Sequence, residues 1–313
     1  MHSKPYATMQ SNGQQAAEIA FALSVALGAT NFSQSQTPGI ACCEAQGWSY
    51  AREILSEIQS ADAEQTLSLI PTHAYKGNPA APDSPLNTTL PVWISENSPI
   101  MDRLGFTQVW HATGAENEGL VWANYLHDAF VKGNVSAYVY WIGAGQHPAD
   151  VPLIWAPNRN PAHDSRSGLL WGLEEYTDEM IKNETLPFYE IGSTYWALAH
   201  WGRFVRPGAR RVEANVTDGP ETVLVSAYQN QGNGTIVVQV VNNGNEDVAT
   251  SVSVLGLDIS PPFSGTRRAC AAQIFVTDNE RKFEYVDVLS LTLIGEFETV
   301  LAKRSLMTFV VRC

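Results

Sequence analysis

Hydrophobic residues form two kinds of pattern along the first two thirds of the chain. Spacing of three and four residues predicts helices at 14–27, 48–60, 118–131 and 193–201. Short runs of apolar, β-branched and aromatic residues predict strands. Because strands and helices alternate, we expect parallel strands joined by crossover helices, as in half of an eight-stranded barrel. No Gly-x-Gly-x-x-Gly segment or phosphate loop follows any strand, which disfavours a nucleotide-binding fold. The predicted strands are 39–45, 67–75, 91–96 and 136–143.

The hydrophobic pattern changes after Pro207-Gly208. From there on, short segments alternate or run apolar, and each is bounded by Gly, Asn, Asp or Pro. This spacing indicates an antiparallel β-sandwich. We therefore predict two domains, an α/β domain over residues 1–207 and an all-β domain over residues 208–313. The predicted sandwich strands are 222–230, 235–242, 250–255, 272–278, 283–289 and 306–312.

Composition narrows the class of partner. The chain has 313 residues, with 32 acidic and 19 basic side chains and a net charge of −13. Nucleic acids and anionic membranes bind basic surfaces, so we expect neither as a partner. No stretch approaches the ~20 apolar residues of a membrane-spanning helix. Nine Trp and eleven Tyr suit either a large aromatic core or a cleft where flat rings pack on sugars. We expect a monomer.

The four cysteines favour a disulfide over a metal site. Cys42 and Cys43 are adjacent, and neighbours on a strand point to opposite sides, so we expect that they do not easily bond to each other. Cys270 and Cys313 are a plausible pair, although the sequence alone leaves the pairing open. There is no Cys-x-x-Cys with a nearby His pair, so we expect no zinc site. Neither a metal nor an organic cofactor is implied.

Asn-x-Ser/Thr sequons are dense in this chain, which favours a secretory route. The first residues, MHSKPYATMQ, contain no apolar core of a signal peptide. We therefore expect an extracellular glycoprotein whose true N-terminus lies upstream of Met1. The sequons begin at Asn31, Asn87, Asn134, Asn183, Asn215 and Asn233.

The carboxyl ends of the predicted parallel strands are where a barrel carries its functional residues. Two carboxylates, an imidazole and two aromatic rings lie there, which suits carbohydrate chemistry. Glycoside hydrolysis usually uses two carboxylates, ~5–5.5 Å apart when configuration is retained. Glu44 and Glu96 are such a pair, although the strand of His73 lies between theirs. Structural alternatives stay open, namely a solvated strand-end glutamate, a core histidine and aromatic residues that only pack. The strand-end residues are Glu44, His73, Tyr75, Glu96 and Trp141.

Several segments resemble glycoside hydrolase family 30. WISENS (93–98), THAY (72–75) and AYVYW (137–141) resemble the ends of barrel strands seven, six and eight of that family. The join GSTYWALAHWGRFVRPGARRV (192–212) is similar to its last barrel helix, which leads into a side β-domain. The resemblance implies a (β/α)8 TIM barrel with a β-sandwich at its side, a retaining mechanism and a carbohydrate substrate.

The same resemblance suggests roles for single residues. Glu96 is expected to be the nucleophile. Trp48 is similar to an aromatic residue that follows strand five in the family. The resemblance also implies that His73, Tyr75 and Trp141 bind substrate. Trp48 joins the expected substrate-binding residues through its similarity, and Glu44 through its place at a strand end.

The sequence departs from the family at the general acid, which the family carries in an Asn-Glu-Pro segment after strand four. No Asn-Glu-Pro occurs in this chain. Asn117-Glu118-Gly119 follows strand seven, and Asn183-Glu184-Thr185 follows strand eight. The helix at 14–27 resembles the one just after strand four. We therefore expect only the second half of the barrel here, and a chain that is inactive or severely impaired by itself.

The expected function is that of a retaining glycosidase acting on a β-linked polysaccharide. The sequons and the Cys42-Cys43 pair look like fungal extracellular members, which act on β-1,6-galactan, β-1,6-glucan or xylan, and we favour β-1,6-galactan. One alternative is a non-catalytic carbohydrate-binding protein or a degenerate relic. The other is a purely structural extracellular protein, which the strand-end carboxylate of Glu96 disfavours.

Overall fold

In the computed structural model, the chain divides into two compact units. The first unit comprises Met1–Ser98 with Asp128–Trp141, and the second comprises Pro99–His127 with Ile142–Cys313. The second unit contains residues on both sides of the predicted boundary near residue 207, which stays a prediction. The described residues are 11–30, 32–33, 37–75, 84–99, 104–157, 188–256, 270–292 and 294–313.

The four predicted helices are all present. They are α1 (Gly13–Gly28), α2 (Trp48–Ser60), α3 (Gly119–Val131) and α4 (Ser193–Phe204). Short 3₁₀ helices lie at Glu64–Thr66 and Pro148–Asp150. Within the described stretches, none of the helices combines the length and the apolar character needed to cross a membrane.

The packing of α1 on α2 explains the glycine at the start of α1. The helix begins at a capping box, in which the Asn12 side chain accepts the N–H of Gln15 at 2.8 Å and the Gln15 side chain accepts the N–H of Asn12 at 3.2 Å. At Gly13 the two helices approach so closely that a Cβ atom would lie 2.5 Å from the carbonyl oxygen of Ile54. The absence of a side chain at Gly13 is therefore a packing requirement.

The first unit contains the parallel sheet that the alternation of strands and helices predicted. Its strands are β1 (Ile70–His73), β2 (Val92–Glu96) and β3 (Ala137–Tyr138), which lie side by side in that order and run parallel. The sheet shares a buried cluster with α2, and Ile58 of α2 and Ile94 of β2 are almost fully buried there. Because parallel strands end at the same edge, their last residues come together.

The predicted strand at 39–45 is present only as two parallel bridges to the chain around β1. One bridge joins Ala41 to Leu69 and the other joins Ala45 to Thr72. The segment therefore continues the parallel sheet on the side of β1 away from β2. Its last residues reach the same edge as the ends of β1 and β2.

The cysteines form two disulfides. Cys42 and Cys43 bond to each other across a cis peptide bond, so the prediction that they do not easily bond was wrong. That prediction assumed a trans strand, in which neighbouring side chains diverge, whereas a cis bond brings the two Cα atoms to 3.0 Å and both sulfurs to one side. The Cys270–Cys313 pair is confirmed.

The second unit contains the predicted antiparallel strands and several that were not predicted. A small sheet is formed by β4 (Ala144–Gly145), β5 (Ile154–Trp155) and β6 (Glu190–Ile191). All six segments predicted as sandwich strands form strands. The strands after α4 are β7 (Arg210–Val212), β8 (Val223–Gln229), β9 (Ile236–Asn242), β10 (Val248–Ser253), β11 (Ala271–Thr277), β12 (Glu284–Ser290), β13 (Glu296–Leu301) and β14 (Ser305–Arg312).

The strands after α4 build two antiparallel sheets with a shared core. One sheet has the order β12-β11-β14-β9-β8-β7, and β10 pairs with β13 in the other. Phe297 of β13 and Phe309 of β14 are buried in one cluster with their ring centroids 5.3 Å apart. Two sheets that bury their facing side chains in this way form a β-sandwich.

The helix α4 packs on the larger sheet through a buried polar network. His200 is completely buried, with Nδ1 2.5 Å from the hydroxyl of Thr308 and Nε2 2.8 Å from the hydroxyl of Thr277. The side-chain amide of Gln239 donates to the His200 carbonyl at 2.8 Å. Burial lowers the pKa of His200 to about 3, so the ring is neutral at ordinary pH.

Candidate active site

Backbone hydrogen bonds tie the strand ends together at one edge of the parallel sheet. The N–H of His73 donates to the carbonyl of Ala45 at 2.6 Å, and the N–H of Ala74 donates to the carbonyl of Glu96 at 3.1 Å. The end of β1 is thus joined to the segment before it on one side and to the end of β2 on the other. The side chains at these three ends are held within reach of one another.

Glu96, the last residue of β2, lies between an aromatic hydroxyl and an imidazole. The hydroxyl of Tyr75 donates to Oε1 of Glu96 at 2.9 Å. Nε2 of His73 lies 3.7 Å from Oε2, and the Glu96 side chain is 30% exposed. The rings of His73 and Tyr75 meet edge to face at 5.7 Å. Three residues that were predicted to belong to the site therefore contact one another.

Glu44 also approaches the imidazole of His73. Its Oε2 lies 3.1 Å from Nε2 of His73 and also accepts a hydrogen bond from the hydroxyl of Ser95. The backbone of Glu44 has φ 57°, a left-handed conformation that costs a non-glycine residue free energy and is often found at functional sites. The predicted strand order put the strand of His73 between those that end in Glu44 and Glu96. In the structure this histidine contacts both carboxylates.

Trp141 follows β3 and carries an indole that is 46% exposed. The backbone N–H of Trp141 donates to the carbonyl of Asn97 at 3.0 Å, and the side-chain amide of Asn97 donates to the hydroxyl of Tyr138 at 2.7 Å. Burial raises the pKa of the Tyr138 phenol, against a smaller opposing effect of the Asn97 hydrogen bond, so Tyr138 is neutral. Ser95, Asn97 and Tyr138 were not predicted, although the first two belong to the polar run that ends the WISENS segment.

Trp48 lies in the buried core and not at the exposed strand ends. Trp48 is only 3% exposed, belongs to the buried cluster of α2 and donates its indole N–H to the carbonyl of Ser84 at 2.9 Å. The expectation that it contacts substrate is corrected to a packing role, because its ring has almost no surface to offer. The segment Asn183-Glu184-Thr185 lies outside the described residues.

Glu118 is excluded as a proton donor by its own hydrogen bonds. Its side chain is 5% exposed, and its oxygens accept the N–H groups of Ala112, Thr113 and Gly114 and the hydroxyl of Thr113, all at 2.8–2.9 Å. Burial raises the pKa of Glu118, but these hydrogen bonds outweigh it and lower the pKa to about 2. The carboxylate therefore anchors the loop before α3.

The cluster at the strand ends supplies carboxylates that could act as a nucleophile or in proton transfer. Two carboxylates approach one imidazole, and one of them is also oriented by a phenol. Among the residues that the structure describes, no group of His, Cys, Asp and Glu is arranged to hold a metal ion.

Comparisons with known proteins show which proteins this chain is similar to. Residues 208–309 match the glycosyl hydrolase family 30 beta sandwich domain. The catalytic domain of the family 30 xylanase C from Talaromyces cellulolyticus is 29% identical, with a TM-score of 0.71 over 97% of this chain and 58% of that one.

More distant structures share the fold. A family 30 subfamily 8 xylanase from Clostridium acetobutylicum is 19% identical, with a TM-score of 0.66 over 98% of this chain and 62% of that one. A family 44 endoglucanase from Clostridium thermocellum is 9% identical, with a TM-score of 0.53 over 97% of this chain and 62% of that one. The chain thus spans less than two thirds of the length of these proteins. Residues 208–309 are thus similar to the sandwich domain of glycoside hydrolase family 30, and the chain as a whole is similar to the Talaromyces xylanase of that family.

Proposed function

We propose that this chain is the second half of a retaining glycoside hydrolase barrel with its side β-sandwich, and that Glu96 is the nucleophile toward a β-linked polysaccharide. The observation that carries the proposal is the hydrogen bond from Tyr75 to one oxygen of Glu96 at the end of a parallel strand. A carboxylate attacks the anomeric carbon through one oxygen, so a fixed partner on the other oxygen keeps the attacking atom in position.

The sugar is proposed to lie against the residues around Glu96. Glu44, His73 and Tyr75 supply polar groups at the same sheet edge. Trp141 supplies a half-exposed flat ring, and such a ring packs against the apolar face of a pyranose.

Uncovered apolar surface in the first unit supports the half-barrel part of the proposal. Parallel sheets are normally buried on both faces. Here Trp93 of β2 is 40% exposed and Val139, just after β3, is 47% exposed. α1 likewise exposes Ile19 and Phe21 by 56% and 60%. We propose that further polypeptide, carrying strands one to four and the proton donor, covers this surface in the complete enzyme.

It follows that the chain by itself hydrolyses glycosidic bonds poorly, since general acid catalysis contributes ~10²–10⁴-fold. Sequencing the transcript upstream of the codon for Met1 tests this part. An in-frame Asn-Glu-Pro segment supports it, and a transcript that starts at Met1 contradicts it.

Within the β-linked polysaccharides, β-1,6-galactan is our proposed substrate and xylan is the main competitor. Xylan is supported as a substrate because the similar solved proteins from Talaromyces and Clostridium are xylanases by name. Comparing turnover of the complete protein on β-1,6-galactan, β-1,6-glucan and xylan decides between them.

The protein is further proposed to be an extracellular, monomeric glycoprotein that binds neither nucleic acid nor membranes. The described sequon asparagines are all exposed, as glycan attachment requires. The sequons at Asn31 and Asn183 lie outside the described residues. The exposed ones are Asn87, Asn134, Asn215 and Asn233.

Covalent trapping tests the nucleophile. A 2-deoxy-2-fluoro-β-glycoside with a 2,4-dinitrophenolate leaving group needs no proton donor, so the chain alone is expected to react with its xylobiosyl or galactosyl form. Peptide mass spectrometry should find the label on Glu96, and Glu96→Gln should carry none. Glu53→Gln, a matched change on the exposed face of α2, should react like the unmodified chain. Label on a different carboxylate contradicts the assignment.

A carbohydrate-binding protein without catalysis is the second candidate. The exposed indoles of Trp93 and Trp141 favour it. If the protein only binds carbohydrate, calorimetry should detect oligosaccharide binding that Trp141→Ala weakens. Glu96 should then carry no covalent label.

A further inference from the structure

Asn97 lies directly after Glu96 and binds the neighbouring strand β3 through both its backbone and its side chain. Its carbonyl accepts the backbone N–H of Trp141 at 3.0 Å, and its side-chain amide donates to the hydroxyl of Tyr138 at 2.7 Å. We propose that Asn97, held by Tyr138, is a positioning residue that fixes an irregularity at the end of β2 and thereby aims Glu96 at the substrate. This inference rests on the proposed nucleophilic role of Glu96.

The end of β2 contains one residue more than the neighbouring strand β1. Two consecutive residues of β1, Thr72 and His73, pair with residues of β2 that are two positions apart. Ser95 is the residue that has no counterpart. An extra residue on one strand of a pair is a β-bulge.

The same extra residue is seen on the side of β3. The N–H of Val139 donates to the carbonyl of Ile94 at 2.8 Å. Two residues later, the N–H of Trp141 donates to the carbonyl of Asn97, which is three residues after Ile94. The bulge therefore lies between Ile94 and Asn97, and it contains Glu96.

The bulge decides which way Glu96 points. Side chains alternate between the two faces of a strand, so an unbroken β2 would put Glu96 on the same face as Ile94. Ile94 is completely buried in the cluster shared with α2, whereas the Glu96 side chain is 30% exposed and accepts a hydrogen bond from Tyr75. Bulges re-aim side chains in this way and are common beside active sites. The contacts that hold the bulge therefore also hold the carboxylate of Glu96.

The residues before and after Glu96 hold the bulge to opposite neighbours. On the side of β1, the hydroxyl of Ser95 donates toward the carboxylate of Glu44 and the carbonyl of Thr72. On the side of β3, Asn97 is only 4% exposed. A buried amide has little access to water that could replace a lost acceptor, so the bond to Tyr138 is the stronger constraint of the two.

Breaking the bond between Asn97 and Tyr138 should slow the attack of Glu96 on the anomeric carbon. Small displacements of a reacting group cost up to ~10²-fold in rate, so the rate constant of covalent labelling should fall roughly 10–100-fold in N97A and in Y138F. A residue that only stabilises the fold would instead lower the fraction of the chain that becomes labelled and leave the rate constant unchanged.

The test is a double-variant cycle on the labelling step, in which Glu96 bonds to the anomeric carbon and dinitrophenolate leaves. The rate constant at saturating dinitrophenyl 2-fluoro-glycoside and the final extent of labelling are measured for the unmodified chain, N97A, Y138F, N97A/Y138F and the control Y228F. Tyr228 of the second unit is a matched control, because it is also buried and its hydroxyl also accepts a side-chain N–H, from Trp201 at 3.1 Å.

We expect both single variants to be slow and the double variant to be no slower than N97A, because the two side chains act as one pair. Y228F should keep the rate constant of the unmodified chain. A Y138F chain with the unmodified rate constant, additive losses in the double variant, or an equally slow Y228F would overturn the inference.

Hydrogen exchange separates this inference from the proposed function. The N–H of Trp141 should lose protection in N97A and Y138F, whereas the N–H of Val139, which bonds to Ile94 before the bulge, should keep it. Full protection of Trp141 in Y138F overturns the inference even where Glu96 is labelled. A chain that is never labelled at Glu96 but shows this local loss of protection retains the role of Asn97 in holding the bulge and loses the proposed function.

Discussion

Buried polar groups in the second unit and strand-end groups in the first unit find their partners in different ways. Glu118 accepts hydrogen bonds from three backbone N–H groups and a hydroxyl. Both ring nitrogens of His200 face threonine hydroxyls. Glu44 and Glu96 instead approach a single imidazole and keep 54% and 30% of their side chains exposed. A buried polar group whose hydrogen bonds are all made within the protein stabilises the fold. A polar group that shares one partner and stays exposed to solvent is available to a ligand.

The largest effect expected from this contrast is a pH dependence carried by His200. Its folded pKa, about 3, lies below the unfolded value near 6.5. Below pH 6.5 the unfolded chain gains a proton that the folded chain excludes, so stability falls by about 1.4 kcal/mol per pH unit until roughly pH 3. Urea unfolding of the unmodified chain and H200Q, followed between pH 7 and 4, should show a shallower slope in H200Q. Equal slopes would mean that His200 is protonated in the fold.

Glu118 should give the next largest effect, in a lower pH window. Its folded pKa, about 2, lies below the ordinary 4.5, so its stabilisation is present above pH 4.5 and is lost as pH falls toward 2. This difference corresponds to roughly 3 kcal/mol. E118Q should lower the unfolding free energy by that order at pH 7, and its deficit should shrink at pH 3. The exposed-site variant E53Q serves as the control, and a deficit that does not change with pH would contradict the explanation.

Gly13→Ala should destabilise the first unit by overpacking the contact between α1 and α2. The added Cβ would meet the Ile54 carbonyl oxygen at 2.5 Å and Glu57 Cβ at 2.6 Å, and overpacking costs about 1–3 kcal/mol. Urea unfolding of the variant and the unmodified chain at pH 7 measures this loss. Gly28→Ala, where a Cβ meets nothing within 4 Å, is the matched control and should not destabilise.

Trp141→Ala should have the smallest effect, confined to binding. Loss of one stacked ring is worth about 0.5–1.5 kcal/mol, so oligosaccharide affinity should fall roughly 2–10-fold. The unfolding free energy should hardly change, because the indole is 46% exposed. Calorimetry measures the first quantity and urea unfolding the second. A large loss of stability would assign Trp141 to the core, as the structure does for Trp48.

Much of the fold was predictable because it depends on local periodicity. The four helices and the six predicted sandwich strands are all present. The strand β13 was missed, because Glu296 and Glu298 give it a charged outer face although Phe297 and Leu301 are buried. The role of Trp48 was misjudged, since an aromatic residue after a strand looks the same in sequence whether it packs inward or faces a ligand.

By itself, the sequence determined the order of the predicted helices and strands and the residue types at the ends of the parallel strands. Those features follow from hydrophobic spacing and turn residues, which are local. Only the tertiary structure decided that Glu44 and Glu96 meet at one nitrogen of His73, that Glu118 is saturated by its loop, and that Cys42 bonds to Cys43. Each of these depends on side-chain direction or on a contact across strands, and a linear pattern does not specify either.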